Sequence, residues 1–305
     1  MLTDRLRTRL LEVLYGQPTG LPDWVEQLSH GTDAGYFAEG SAVWEVHRDI
    51  ATLVAGPRAL LMQALHPGAM AGVHDHSRYR EDPLGRLNGT IRWITTVTYG
   101  SREQADSASR WVRHLHERVQ GTYATTDGRT VPYAAQDADL VTWVHLAFAD
   151  SFLRAFQRFG GRPIPGGPDA YVRDWAVAGE LMGVPDPPRS VAELEQRLGS
   201  IRDAGILRVD TVVRETVGFI RRPPLPALIR ATYPALFRGA VATLPDWERE
   251  QLGLRRVLGV EEAATRLVLK ASVALLGEAT APQQARKRLA ALAEQDSAGR
   301  SGTRA

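Results

Sequence analysis

Apolar residues recur every three or four positions along almost the whole chain, a period that admits little except α-helix. The clearest stretch is 101–120, where Ala105, Ala108, Val112, Leu115 and Val119 form one stripe. Ser101 stands where a cap is needed and Gly121 where the helix should stop. Residues 136–159 form a second strong helix, closed by Gly160 and Gly161. Ser190 with Glu193 is a capping box for a helix over 190–199, and residues 2–14 are amphipathic. Residues 41–65 predict two helices separated near Gly56 and Pro57, the second stopping at Leu65-His66-Pro67. Over 86–98, Thr95, Thr96, Val97 and Thr98 favour strand, yet Arg86, Thr90, Ile94 and Val97 share a helical face, which predicts helix. Residues 68–85, rich in Gly, His, Asp and Pro, predict a long irregular connection. A short hairpin is expected over 122–134 around Asp127-Gly128. After a turn at Pro223, Pro224 and Pro226, two or three more helices follow, with a break at Leu244-Pro245. From Glu294 the chain loses its apolar residues, which predicts a disordered tail.

Alternating strand–helix units are absent, which argues against a dinucleotide-binding sheet. The apolar and charged fractions, 44% and 24%, belong to a soluble globular protein. Formal net charge is +2, almost all base is arginine, and clustered base does not alternate with aromatics, so nucleic acid is an unlikely partner by composition. The absence of cysteine excludes disulfides, thiolate-held metals and cysteine nucleophiles. The N-terminus alternates charge with leucine, unlike a signal peptide, and no apolar run reaches the roughly 18 residues of a spanning helix. These features predict a cytoplasmic protein without stable membrane insertion.

Six of the eight histidines fall between Ser41 and Gly121: His47, His66, His74, His76, His114 and His116. Such a cluster suits a metal or haem site or acid/base chemistry; ordinary core and capping roles are the alternative. His116 lies beside the apolar stripe of its helix, whereas His114 shares a face with Arg110, Glu117 and Arg118. His116 is therefore expected inside and His114 in water. An interior imidazole on a helix can be the proximal ligand of a haem iron, or a buried histidine bonded to a carbonyl. His145, with Val141, Phe148 and Phe152, is expected to pack near a cofactor or to be a satisfied core histidine. His66, before Pro67, would complement a helix dipole as an imidazolium. His74, Asp75 and His76 could bind a metal, although Asp75 or Ser77 as a loop cap is the simpler role. Arg86 and Thr90, four apart on one face, could meet a propionate or a developing anion.

In order, L-H-P-G-A-M-A-G-V (65–73), D-H-S (75–77), D-P-L-G-R-L-N-G-T (82–90), T-Y-G (98–100), H-E-R-V-Q-G (116–121), W-V-H-L-A-F-A-D-S-F (143–152) and L-P-D-W-E-R-E-Q-L-G-L (244–254) form a series of signatures. This series resembles the domain shared by latex-clearing rubber oxygenases and the fungal oxygenase MpaB, over about residues 38–260. The resemblance implies an all-α, single-domain protein with a globin-like core that binds haem b. By motif, the proximal histidine falls on His116, and the family's distal arginine and threonine fall on Arg86 and Thr90. The pattern departs at Gly89, which stands where the family has a distal lysine; no lysine precedes Lys270. The family's catalytic glutamate finds no match, with Glu81 and Asp75 the nearest carboxylates.

The resulting expectation is a haem b-dependent oxygenase that acts with dioxygen on an apolar substrate, an alkene or isoprenoid. Arg86 and Thr90 are the catalytic candidates, His116 is the iron ligand, and Arg86 and His145 are further cofactor contacts. An electron donor is a further expected partner. A haem carrier or sensor, a haem-free relative, or a non-haem metal enzyme using His74, Asp75 and His76 are the other readings. The expected organisation is an N-terminal helical extension (1–37), the oxygenase-like domain (38–260), C-terminal helices packed on it (261–293) and a tail (294–305).

Overall fold

The computed structural model describes residues 21–125 and 127–302. The helix expected over 2–14 lies outside them. Helices dominate, and the only sheet among the described residues is one two-stranded hairpin. Its strands, β1 (Gln120–Ala124) and β2 (Thr130–Ala134), are antiparallel, with Gly121 opposite Tyr133.

After a short turn of helix, α1 (Asp23–Glu26), comes α2 (Ala42–Arg48), capped by the Ser41 side chain, which accepts from the Trp44 N–H. The chain breaks at Asp49 and resumes as α3 (Thr52–Ala64). The break expected at Gly56-Pro57 is thus displaced by several residues, and Pro57 is carried inside α3. An interior proline costs about 3 kcal/mol. Val54, Leu61 and Met62 are fully buried on the same helix, at roughly 1.5–3 kcal/mol each, and outweigh it.

The irregular connection expected over 68–85 is also corrected. Pro67–His76 is a helix, α4, with Pro67 in its first turn, and α5 runs from Pro83 to Tyr99 behind an Asp82 cap. The glycines that read as breakers are contact points. A Cβ on Gly68 would sit 3.0 Å from Tyr123, and one on Gly72 would touch Tyr133 and Val119. The hairpin lies flat on α4 because this face has no side chains.

Helix α6 (Arg102–His116) starts with a full capping box between Ser101 and Gln104. It ends at His116, so Val119 lies in the turn into β1, and Leu115 of the expected stripe is exposed. Helix α7 (Ala138–Phe159), about 33 Å long at 1.5 Å per residue, is buried along most of its length. Its packing on α3 is the most extensive helix–helix contact in the fold. Around this pair stand α8 (Gly167–Met182), α9 (Val191–Asp203), α10 (Thr211–Arg221), the short α11 (Ala227–Arg230), α12 (Tyr233–Ala242) and α13 (Asp246–Gln251).

Helix α14 (Gly259–Leu276) packs on α12. The last helix, α15 (Thr280–Gly302), reaches back to the N-terminal turn. There the buried Arg288 donates to the carbonyls of Leu28, Ala34 and Tyr99, the last of these at the end of α5. α15 continues past Glu294, where the composition predicts an end.

Candidate functional site

Helices α5 and α6 form an antiparallel pair joined by the tight turn at Gly100-Ser101. The Trp93 indole N–H donates to Ser109 Oγ at 3.0 Å and fixes their register. Seven residues, two helical turns, from that bond in each helix lie Arg86 and His116. Leu87 and Leu115 lie six residues from the same bond. Arg86 Nη1 donates to Thr90 Oγ1 at 2.6 Å, one turn along the same face.

His116 is half-buried, and His114 is exposed and paired with Glu117 at 2.9 Å, as their helical phases predict. Burial lowers the His116 pKa, and the Arg86 guanidinium lowers it further, so the ring is neutral at pH 7. Its Nδ1 is buried without a hydrogen-bond partner. Arg86 is open to water, yet desolvation by surrounding protein lowers its pKa. The guanidinium remains charged. A Cβ built on Gly89, on the neighbouring turn, would meet nothing within 4 Å.

Besides His116 Nδ1, the buried side-chain atoms without a partner among the described residues are on Gln63, His74, Ser77, Trp44, Arg208, Glu248 and Arg288. Folded proteins pair the large majority of such atoms, so the open ring of His116 is suited to receive a ligand. A group held by a single imidazole, as haem is, fits a neutral His116 with an arginine facing it. A caged metal ion does not fit: no group of three or more His, Asp or Glu converges among the described residues. Asp75 and His76 are taken by the hairpin, through the Tyr133 hydroxyl at 3.4 Å and the Gln120 carbonyl at 3.0 Å. His74 lies on the other side of the helix.

Three further histidines, His145, His66 and His47, are buried or partly buried elsewhere in the fold. His145 is buried against Gly179, whose Cβ would come within 2.9 Å of the ring. Burial first, and Arg197 second, push its pKa down to about 4. These neighbours are on α8 and α9, and no described contact joins it to Arg86, Thr90 or His116. His66 does not carry the imidazolium expected of it. It caps the N-terminus of α4 by accepting from the Ala69 N–H at 3.4 Å, and burial lowers its pKa. A cation at that end would oppose the dipole.

His47, not singled out from the cluster by sequence, ties α2, α5 and α8 together. Thr98 Oγ1 donates to the Ile94 carbonyl at 2.8 Å and therefore accepts from His47 Nδ1 at 2.8 Å. His47 Nε2 then accepts from the Tyr171 hydroxyl at 3.1 Å. Trp175 and Phe152 close over the ring, and burial drives its pKa to about 3. Its position beside Val43 and Val46 on the apolar face of α2 was the available signal.

Sequence reasoning also missed a buried charge network. Arg58 on α3, 1% exposed, pairs with Asp150 on α7 at 2.6 Å and donates to Ser151 Oγ and the Thr243 carbonyl. Arg154 holds the other oxygen of Asp150 at 3.0 Å. Glu248 is buried nearby. Burial pushes its carboxyl up to about 7 against the opposing pull of Arg58. Asp150 and Glu248 lie in two of the sequence signatures, A-D-S-F and L-P-D-W-E, which thus have a structural part.

Residues 44–289 match the family model described as the ER-bound oxygenase mpaB/B'/rubber oxygenase catalytic domain. The match extends past residue 260 and takes in α14 and the first part of α15. No curated protein and no solved structure matches the chain. Among the described residues, no helix is long and apolar enough to cross a membrane.

Proposed function

Because the chain belongs to the mpaB/rubber oxygenase catalytic-domain family, we propose that it is a haem b-dependent oxygenase whose site lies between α5 and α6. The observation that carries this reading is the neutral, half-buried His116, its Nδ1 unpartnered, facing the Arg86–Thr90 pair. His116 would hold the iron, and haem, when bound, would supply the dioxygen chemistry that protein side chains lack. The globin-like core around it belongs to the same proposal.

The chain's own residues orient and polarise. Lowering the His116 pKa keeps its ring in the unprotonated form, which has a lone pair to offer. Arg86 brings a permanent positive charge close enough to His116 to lower its pKa. Thr90 accepts from Arg86 through its oxygen, so its hydroxyl proton remains free to donate to an anionic oxygen. One preorganised donor of this kind is worth roughly 3 kcal/mol where charge develops.

Leu87, Trp111 and Leu115 are large apolar side chains exposed around this end of the helix pair. They support an apolar substrate, an alkene or isoprenoid, with dioxygen and an electron donor as the other partners.

Reconstitution with haem b and a visible spectrum tests the reading. A Soret band is expected for wild type and for His114→Ala, and its loss for His116→Ala. An unchanged spectrum in folded His116→Ala overturns the assignment, and no band in wild type overturns haem dependence.

A further inference from the structure

A second site lies on other elements. A recess of about 160 Å³ is lined by Arg221 at the end of α10, Phe237 and Arg238 on α12, and Gly253, Leu254 and Arg255 after α13. Three guanidiniums share it. Arg238 and Arg255 both grip one carboxylate, Glu261, with Nε–Oε1 and Nη2–Oε1 distances of 2.9 and 2.5 Å. Their hydrogen bonds hold its pKa down to about 2. Arg221 makes no side-chain hydrogen bond or ion pair among the described residues. Arg222 and Arg256, next to the lining, are exposed and likewise form no ion pair there.

Elsewhere on the surface Arg158 pairs with Glu262 and Arg189 with Glu180, one carboxylate to one guanidinium. Here three arginines line one recess, two of them share a single carboxylate, and two positive charges are left in excess. Their mutual repulsion costs stability unless an anion enters. A concave, low-dielectric wall focuses the field of such a group inward. The floor is apolar: Phe237 and Leu254 are both buried. The planar guanidinium fork matches the oxygen spacing of a phosphate or carboxylate.

We propose that this recess binds the oxyanion head group of a small ligand, a phosphate or carboxylate whose short apolar part rests on Phe237 and Leu254. The site is independent of haem and of the Arg86–His116 pair.

Calorimetric titration of the full chain as isolated tests it. The probes are inorganic phosphate, butyl phosphate, pentanoate and, as neutral control, butanol. Saturable one-site binding is expected for butyl phosphate or pentanoate, and whichever binds more tightly identifies the head group. Butyl phosphate should exceed inorganic phosphate several-fold through contact with the floor, and butanol should not bind. Arg221→Gln should weaken binding about tenfold, the scale of one charge-assisted hydrogen bond. Arg221→Glu should abolish it. Arg221 is exposed, so both variants should fold, which their melting curves check. Arg110→Gln, which removes the same charge from the exposed side of α6, should change nothing. No saturable binding of any anion by wild type, or equal affinity in wild type and Arg221→Gln, overturns the proposal.

Discussion

The fold buries polar groups in two regions and treats them in opposite ways. Around α3, α7 and α8, Arg58 is met by Asp150, Ser151 and a carbonyl, and His47 by Thr98 and Tyr171. That region is not closed throughout: Gln63 Nε2 on α3 and Glu248 Oε2 have no partner, and burial relieves Glu248 of its charge by raising its pKa to about 7. Around α4 and the α5–α6 pair, His116, His74 and Ser77 keep buried atoms with no partner. Buried polar networks that only hold a fold are closed. Groups that wait for a ligand stay open, at a cost in stability. The contrast supports the proposed role of the His116 region and an architectural role for the Arg58 network.

The largest effect should come from breaking the closed region. Asp150→Ala leaves Arg58 charged and buried, and should cost about 3–5 kcal/mol in urea unfolding. Adding Arg58→Met should recover much of that loss, because an apolar pair needs no counter-charge. A loss below about 1 kcal/mol in the single variant would show that water or another group already neutralises Arg58.

Glu248 gives a smaller, pH-dependent effect. Its folded pKa, about 7, lies above its ordinary 4.5. Between these values the native protein holds a proton that the unfolded chain has lost, so stability falls as pH rises through that window. The contribution is fully present below about 4.5 and gone above about 7. Glu248→Gln keeps the neutral form at every pH. It should therefore be more stable than wild type at pH 8, by up to about 3 kcal/mol, and equal to it near pH 4.5. A gap independent of pH would mean that Glu248 titrates normally in the folded protein. His47, His66 and His145 act in the opposite sense, because their folded pKa values are lowered. Their contribution is present above about 6.5 and is lost as pH falls toward their folded values.

Much of this contrast was legible in the sequence, but only where the signal was local. The α5 helix could be read because Arg86, Thr90, Ile94 and Val97 keep a helical period through a β-branched run. The inward His116 and outward His114 followed from phase alone. Helix α4 could not be read, because Gly68 and Gly72 are explained by tyrosines more than fifty residues away. The Arg58–Asp150 pair spans 92 residues, and a pairing at that distance leaves no mark on either segment. His66 was assigned to the wrong helix end because Leu65-His66-Pro67 closes one helix and opens the next. Whether a buried histidine has a partner is a three-dimensional fact, and it separates His47 from His116.

The smallest expected effect is the most discriminating. If His116 is open because it awaits a ligand, it contributes little to the haem-free fold. A buried N–H or lone pair without a partner carries a penalty of about 1–3 kcal/mol, and an apolar side chain of similar size removes it. His116→Leu should therefore leave haem-free protein as stable as wild type or more stable by about 1 kcal/mol. The same substitution should end haem retention, so wild type should gain stability on haem addition and the variant should not. Thermal melts of both proteins, with and without haem b, contain the whole comparison. Destabilisation of the haem-free variant by more than about 2 kcal/mol would place His116 with His47 among the structural histidines. It would also remove the unpartnered ring as the reason to place the site between α5 and α6.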